Sequence, residues 1–165
     1  MLNRRHLRIK VLHSLYAFYQ SEEQNLPKTE KQLLVSVDKF YEMYIHLLSI
    51  IQRLHGMRVE KIEQRKARIM ATEEDKSPST RFIDNPILTE LVENVHLNKA
   101  IEKYKIVWDD NRLDIIRELN QRILRNEDYI NYMAAEEVTD ADHMKVIVQI
   151  FKKCVANNDL VEHYL

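Results

Sequence analysis

Apolar residues recur at three- and four-residue steps along most of this chain, the spacing that gathers them on one side of an α-helix. Leu7, Val11, Leu15 and Phe18 make a first stripe, widened by Leu12 and Tyr19. They predict a helix from near Asn3, a good N-cap residue, to about Gln20. The stretch "SEEQNLP" breaks it, with Pro27 as punctuation. Leu33, Val37, Phe40, Tyr44, Leu47, Ile51 and Leu54 then hold the pattern through six steps. Leu34, Tyr41, Ile45 and Leu48 broaden that second stripe, as a buried helix requires. Gly56 either ends this helix or weakens it by about 1 kcal/mol relative to Ala. Beyond it, "RVEKIEQRKARI" favours helix but is mixed in charge and poor in apolar residues, which suits a solvated extension.

Residues 71–81, "ATEEDKSPSTR", carry no aliphatic larger than Ala and read as a linker. A second series of helices follows. Asn85-Pro86, an N-cap and a proline at the first helical position, opens "ILTELVENVHL". Asp109 or Asp110 caps "RLDIIRELNQRIL", with Leu113, Ile116, Leu119 and Ile123 as its stripe. Asn126 caps "EDYINYMAA". Thr139 or Asp140 starts "ADHMKVIVQIFKKCV", with Met144, Ile147, Val148 and Phe151 expected to face inward. "NNDLVEHYL" turns and begins one more helix. The expected fold is all-α, a bundle of six to seven helices in two groups: a segment 1–70, a linker 71–85 and a segment 86–165.

Composition strengthens the helical reading. One glycine and three prolines among 165 residues leave few tight turns of the kind strands need. A chain of this length can bury about 70% of its unfolded surface. No apolar run approaches the roughly 20 residues of a membrane span. The basic N-terminus lacks the apolar region and cleavage site of a signal peptide. A single cysteine, Cys154, excludes an internal disulfide framework and fits a reducing compartment, so the cytoplasm is expected.

The net charge of −1 hides an asymmetry. Residues 1–70 hold 13 Lys and Arg against 7 Asp and Glu, a balance of +6. Residues 84–165 hold 10 against 16, a balance of −6. Such a division fits either an anionic partner for the basic half or two surfaces that neutralise each other.

Several chemistries lack their residues. A single glycine cannot make a phosphate loop, and no His-x-x-x-His or Cys-x-x-Cys spacing occurs. The seven histidines are scattered; His46 and His55 read as surface or partly buried residues of the long helix. Cys154 reads as a small core residue. The pairs Asp109–Asp110 and Glu136–Glu137 fall at expected helix ends, where acidic residues have a structural reason to be. No catalytic, metal or cofactor-binding residues are expected.

The remaining functional signal is at the start. "NRRHLRIKVLHSLYAFYQ" interleaves Arg4, Arg5, Arg8 and Lys10 with apolar residues and has no acid. At about 100° per residue, Arg8 and Arg5 fall at about 40° and 100° from Arg4. They share a sector with Val11, Leu15, Phe18 and Tyr19, so the arginines are expected to continue the apolar stripe past its end near Leu7. Arginine grips phosphate in a bidentate fork and stacks on bases. A helix N-terminus adds unpaired N–H groups and the positive end of the dipole.

Arg4-Arg5-x-x-Arg8 followed by Leu15-Tyr16 resembles the opening of the NusB family of bacterial transcription antitermination factors. The resemblance covers residues 3–20, with a weaker one in "VQIFKKCVANNDLVEHYL". Residues 21–140 resemble the long insertion of Bacteroidetes-type members. The resemblance implies an all-helical domain of two packed helical groups, without a cofactor. It implies binding to boxA-type RNA together with NusE, a protein of the small ribosomal subunit. It places Arg4, Arg5, His6, Arg8 and Tyr16 at RNA-contacting positions. Ile9 and His13 depart from the acid and glutamine common there, and the family's C-terminal Asn-Glu and Phe-x-Asn-Gly elements are absent. The sequence therefore reads as the N-terminal part of a longer protein. Two alternatives stand beside this one: a helical protein-docking module, and the RNA-recognition domain of an RNA methyltransferase, which needs a Gly-rich cofactor site further on.

Overall fold

Every regular element among the described residues of the computed structural model, 4–67 and 78–164, is helical. In chain order they are α1 (Arg4–Gln20), α2 (Leu26–Lys66), α3 (Pro86–Glu93), α4 (Val95–Lys103), α5 (Asp110–Leu124), α6 (Glu127–Ala134) and α7 (Asp140–Ile150). A π-helical turn (Phe151–Ala156) and α8 (Asp159–Tyr164) follow. The all-α expectation holds. The N-cap expected at Asn3 and most of the expected linker, residues 71–77, lie outside the described residues.

The starts follow side-chain chemistry. Asn25 Oδ1 accepts from Lys28 N at 3.0 Å, so Pro27 sits in the first turn of α2, where its missing N–H is harmless. Asn85 caps α3 by accepting from Ile87 N, and Asn126 caps α6 by accepting from Asp128 N and Tyr129 N. Thr139 and Asp142 form a reciprocal capping box at α7. Those hydrogen bonds from Thr139 hold the Asp142 carboxyl below the usual aspartate range. Asp109 has the extended backbone of an N-cap but makes no side-chain cap bond.

Three sequence expectations change. Gly56 neither ends nor breaks α2, which runs through it for 41 residues. "ILTELVENVHL" is two helices, because Asn94 leaves helical geometry (φ −64°, ψ 105°) and caps α4 at Leu97 N. In α7, Met144 and Val148 are exposed, while Val146 and Ile150 are buried. The inward side of α7 is set by its neighbours α3 and α6, and periodicity alone did not identify it.

The chain divides into two compact units, Met1–Ile45 and His46–Leu165, so the division falls inside α2 and not in the 71–85 segment. The core of the second unit takes Ile50 and Leu54 from α2, Leu88 from α3 and the α5 stripe of Ile116, Leu119 and Ile123. Cys154 and Val155, neighbours in sequence on the π turn, are both enclosed. Burial pushes the Cys154 thiol up. Each fully enclosed aliphatic side chain contributes about 1.5–3 kcal/mol by leaving water.

Polar groups tie the helices of this unit together. Asn85, itself buried, donates from Nδ2 to the Tyr132 hydroxyl (3.3 Å) and to the His143 carbonyl (3.2 Å). One residue therefore joins α3, α6 and α7. The Arg81 guanidinium donates to the carbonyls of Tyr132, Met133 and Ala135. It neutralises the carbonyl end of α6, where the helix dipole is negative.

Candidate nucleic-acid interface

Arg4, Arg5 and Arg8 occupy the first turn and a half of α1, whose first turn contains no acid. All three are exposed. With Ile9 and Leu12 they line a shallow concavity of about 550 Å³. On a helical wheel at about 100° per residue, Arg4, Arg8, Leu12, Arg5, Tyr16 and Ile9 spread from 0° to about 140°. Leu12 is 65% exposed, Tyr16 67% and Tyr19 73%. The result is one solvent-facing strip, cationic at its N-terminal end and aromatic further along. Among the described residues no carboxylate stands at ion-pair distance from Arg4 or Arg8.

The opposite side of α1 does the packing. Lys10, Ser14 and Phe18 are half-buried, at about 240°, 280° and 320° on the same wheel. The Lys10 ammonium lies 4.7 Å from the centroid of the Phe40 ring on α2. The His6 imidazole stacks beside that ring at 6.4 Å. This corrects the expectation that Leu7, Val11 and Leu15 face a core and that the arginines prolong their stripe. No residue of α1 is buried, and those three are each more than a third exposed. The packed side is chosen by Phe40, a large ring that long or aromatic partners can reach across the hairpin, and a wheel of α1 alone contains no trace of it.

Of the expected site residues, Arg4, Arg5, Arg8 and Tyr16 thus share one face. His6 is exposed but turned towards Phe40 and stands apart from them. Ile9 and Leu12 join the arginines, although the sequence reading left them aside. The signal that finds them is their four-residue spacing from Arg5 and Arg8. Among the described residues no group of three or more His, Cys, Asp or Glu side chains is arranged to hold a metal ion. No described helix is long and apolar enough to cross a membrane.

Comparison of the chain with protein-family models, curated proteins and solved structures finds no match.

Proposed function

We propose that this protein binds single-stranded RNA of the boxA type through the first helix, acting with NusE as a transcription antitermination factor. The observation that carries the reading is the shared face of Arg4, Arg5, Arg8, Leu12 and Tyr16, solvent-exposed from end to end. Phosphates bind in the arginine forks, and the phenol ring of Tyr16 offers a flat surface on which a base stacks. His6 contributes at the margin, since its ring is shared with Phe40. The resemblance to NusB-family first helices supplies the antitermination context. The test is RNA affinity against salt for Arg4→Ala/Arg5→Ala/Arg8→Ala. If three single-strand phosphates are contacted, the slope of log affinity on log salt becomes shallower by about 2. An unchanged affinity and slope would overturn the role of these arginines.

A second reading is a protein-docking module. It is favoured by the exposure of Leu34 (59%), Val35, Tyr41 and Tyr44 on the first half of α2. Loss of NusE binding in Leu34→Asp, with RNA affinity retained, would favour it.

A further inference from the structure

The second unit contains a cationic cleft that the α1 reading does not use. Its volume is about 590 Å³. The second half of α2, residues 78–83, α5 and α6 all contribute to its walls. Arg58, Lys61 and Arg65 come from α2 at steps of three and four, so they project from one side of that helix. Among the described residues no carboxylate lines the cleft.

Arg58 is held rigidly. Its Nη1 donates to the Tyr129 hydroxyl at 2.7 Å. Its guanidinium carbon lies 4.9 Å from the centroid of the Tyr129 ring and 5.2 Å from that of Phe82. Two aromatic rings and one hydrogen bond thus fix the plane of the guanidinium. The opposite edge is different. Nε and Nη2 are buried, and among the described residues neither has a hydrogen-bond partner. These are the two nitrogens whose N–H bonds run parallel, the edge that takes two oxygens of one oxyanion. The buried Oδ1 of Asn120, a further residue of the cleft wall, also lacks a partner.

Buried cationic donors left unpaired are costly, and native proteins keep few of them. Lys61 shows the same imbalance, its pKa lowered by burial and then by the neighbouring cations Arg58, Arg65 and Arg117. One added anion relieves all of these strains together. We infer that the cleft is a binding site for a phosphate-class oxyanion, seated on the Nε/Nη2 edge of Arg58 with Lys61 and Arg65 at its rim. Hydrogenphosphate and phosphomonoesters suit it best. Their unprotonated oxygens accept from Arg58, and the protonated oxygen of the monoanion is a donor for Asn120 Oδ1. The site involves none of the α1 residues, so it stands or falls separately from RNA binding.

The test is titration of the whole protein with inorganic phosphate and, separately, with adenosine 5′-monophosphate, against chloride at matched ionic strength. Binding is read from the Arg58 Nε–H resonance. Saturable movement of that resonance with either anion supports the site, and a response to the nucleotide alone identifies the ligand as an ester. Lys61→Gln/Arg65→Gln, which alters only exposed rim residues, should weaken binding about tenfold. Arg58→Lys, which keeps the charge and removes the fork, should weaken it at least as much. If phosphate and the nucleotide move the resonance no more than chloride does, water alone satisfies these donors and the inference is overturned. The same holds if affinity is unchanged in the rim variant, which remains informative even where Arg58→Lys fails to fold.

Discussion

Helices α1 and α5 are nearly equal in length, 17 and 15 residues, and both carry a regular apolar stripe. In α5 the stripe vanishes into the core, with Ile116 and Leu119 at 0% exposure. In α1 no residue is buried. The difference is in the partners. Helix α5 lies among α6, the π turn and the α2 side chains of one hydrophobic cluster. Helix α1 meets α2 of its own unit through Phe40, by way of a lysine and a histidine. A helical stripe is thus an offer of burial, and the fold accepts it only where several elements converge. What α1 leaves in water is the surface on which a binding function can be built.

The sharpest way to break this comparison is to shorten one aliphatic residue in each helix. Leu119→Ala on α5 should lower the unfolding free energy by about 3–4 kcal/mol, as cavity formation in an enclosed core does. Leu12→Ala on α1 should change it by less than about 0.5 kcal/mol. Denaturant unfolding of the two variants measures both, and equal losses would show that α1 is part of the core after all. Next in size is Asn85→Ala. It removes an N-cap and leaves the hydroxyl of Tyr132 and the carbonyl of His143 each short of one donor, at a cost of about 2 kcal/mol. A cost of a few tenths would mean that α3, α6 and α7 are joined by apolar packing alone.

Smaller still is Gly56→Ala. A Cβ at Gly56 would meet only the tip of Arg53, at 3.5 Å, which is ordinary contact. The substitution should therefore raise stability by about 1 kcal/mol in thermal unfolding. A loss would mean that α2 needs the freedom of glycine there. The smallest effect concerns alkaline pH. Burial, first among the causes, raises the Tyr132 pKa above the ordinary phenol value. The folded state thus favours the neutral phenol. That preference is fully present below the unfolded pKa of about 10 and is lost as pH rises through the higher folded value. Unfolding followed above pH 10 should therefore show a shallower fall with pH in Tyr132→Phe than in the parent protein.

How far these contrasts could be read in advance depends on what kind of signal each residue gives. Local chemistry was plain. Asn85-Pro86, Asn126 and Thr139 announce helix starts because a cap needs only its own first turn. The α5 stripe was also legible, since Ile116, Leu119 and Ile123 are all apolar and one face must take them. The break at Asn94 escaped because apolar periodicity continues across it. The inward side of α7 and the packed side of α1 escaped because each depends on a distant neighbour. For the candidate interface, the arginines and Tyr16 were visible in the sequence, but the separation of His6 from them depends on Phe40. The oxyanion cleft gave no signal at all. Arg58 lies in a stretch that reads as solvated, and only its meeting with Phe82 and Tyr129 removes it from water.

The π turn at Phe151–Ala156 has a consequence for how the sequence can drift. A π turn accommodates one residue more than an α-helical turn, and here it keeps both Cys154 and Val155 enclosed. Deleting any one of these six residues would restore ordinary α-helical winding and turn all that follows by about 100°. Val161 of α8, now 2% exposed, would be carried away from the core. Substitutions can accumulate along this stretch wherever size is conserved. Changes in its length cannot, because the count of residues here is itself part of what aims the last helix.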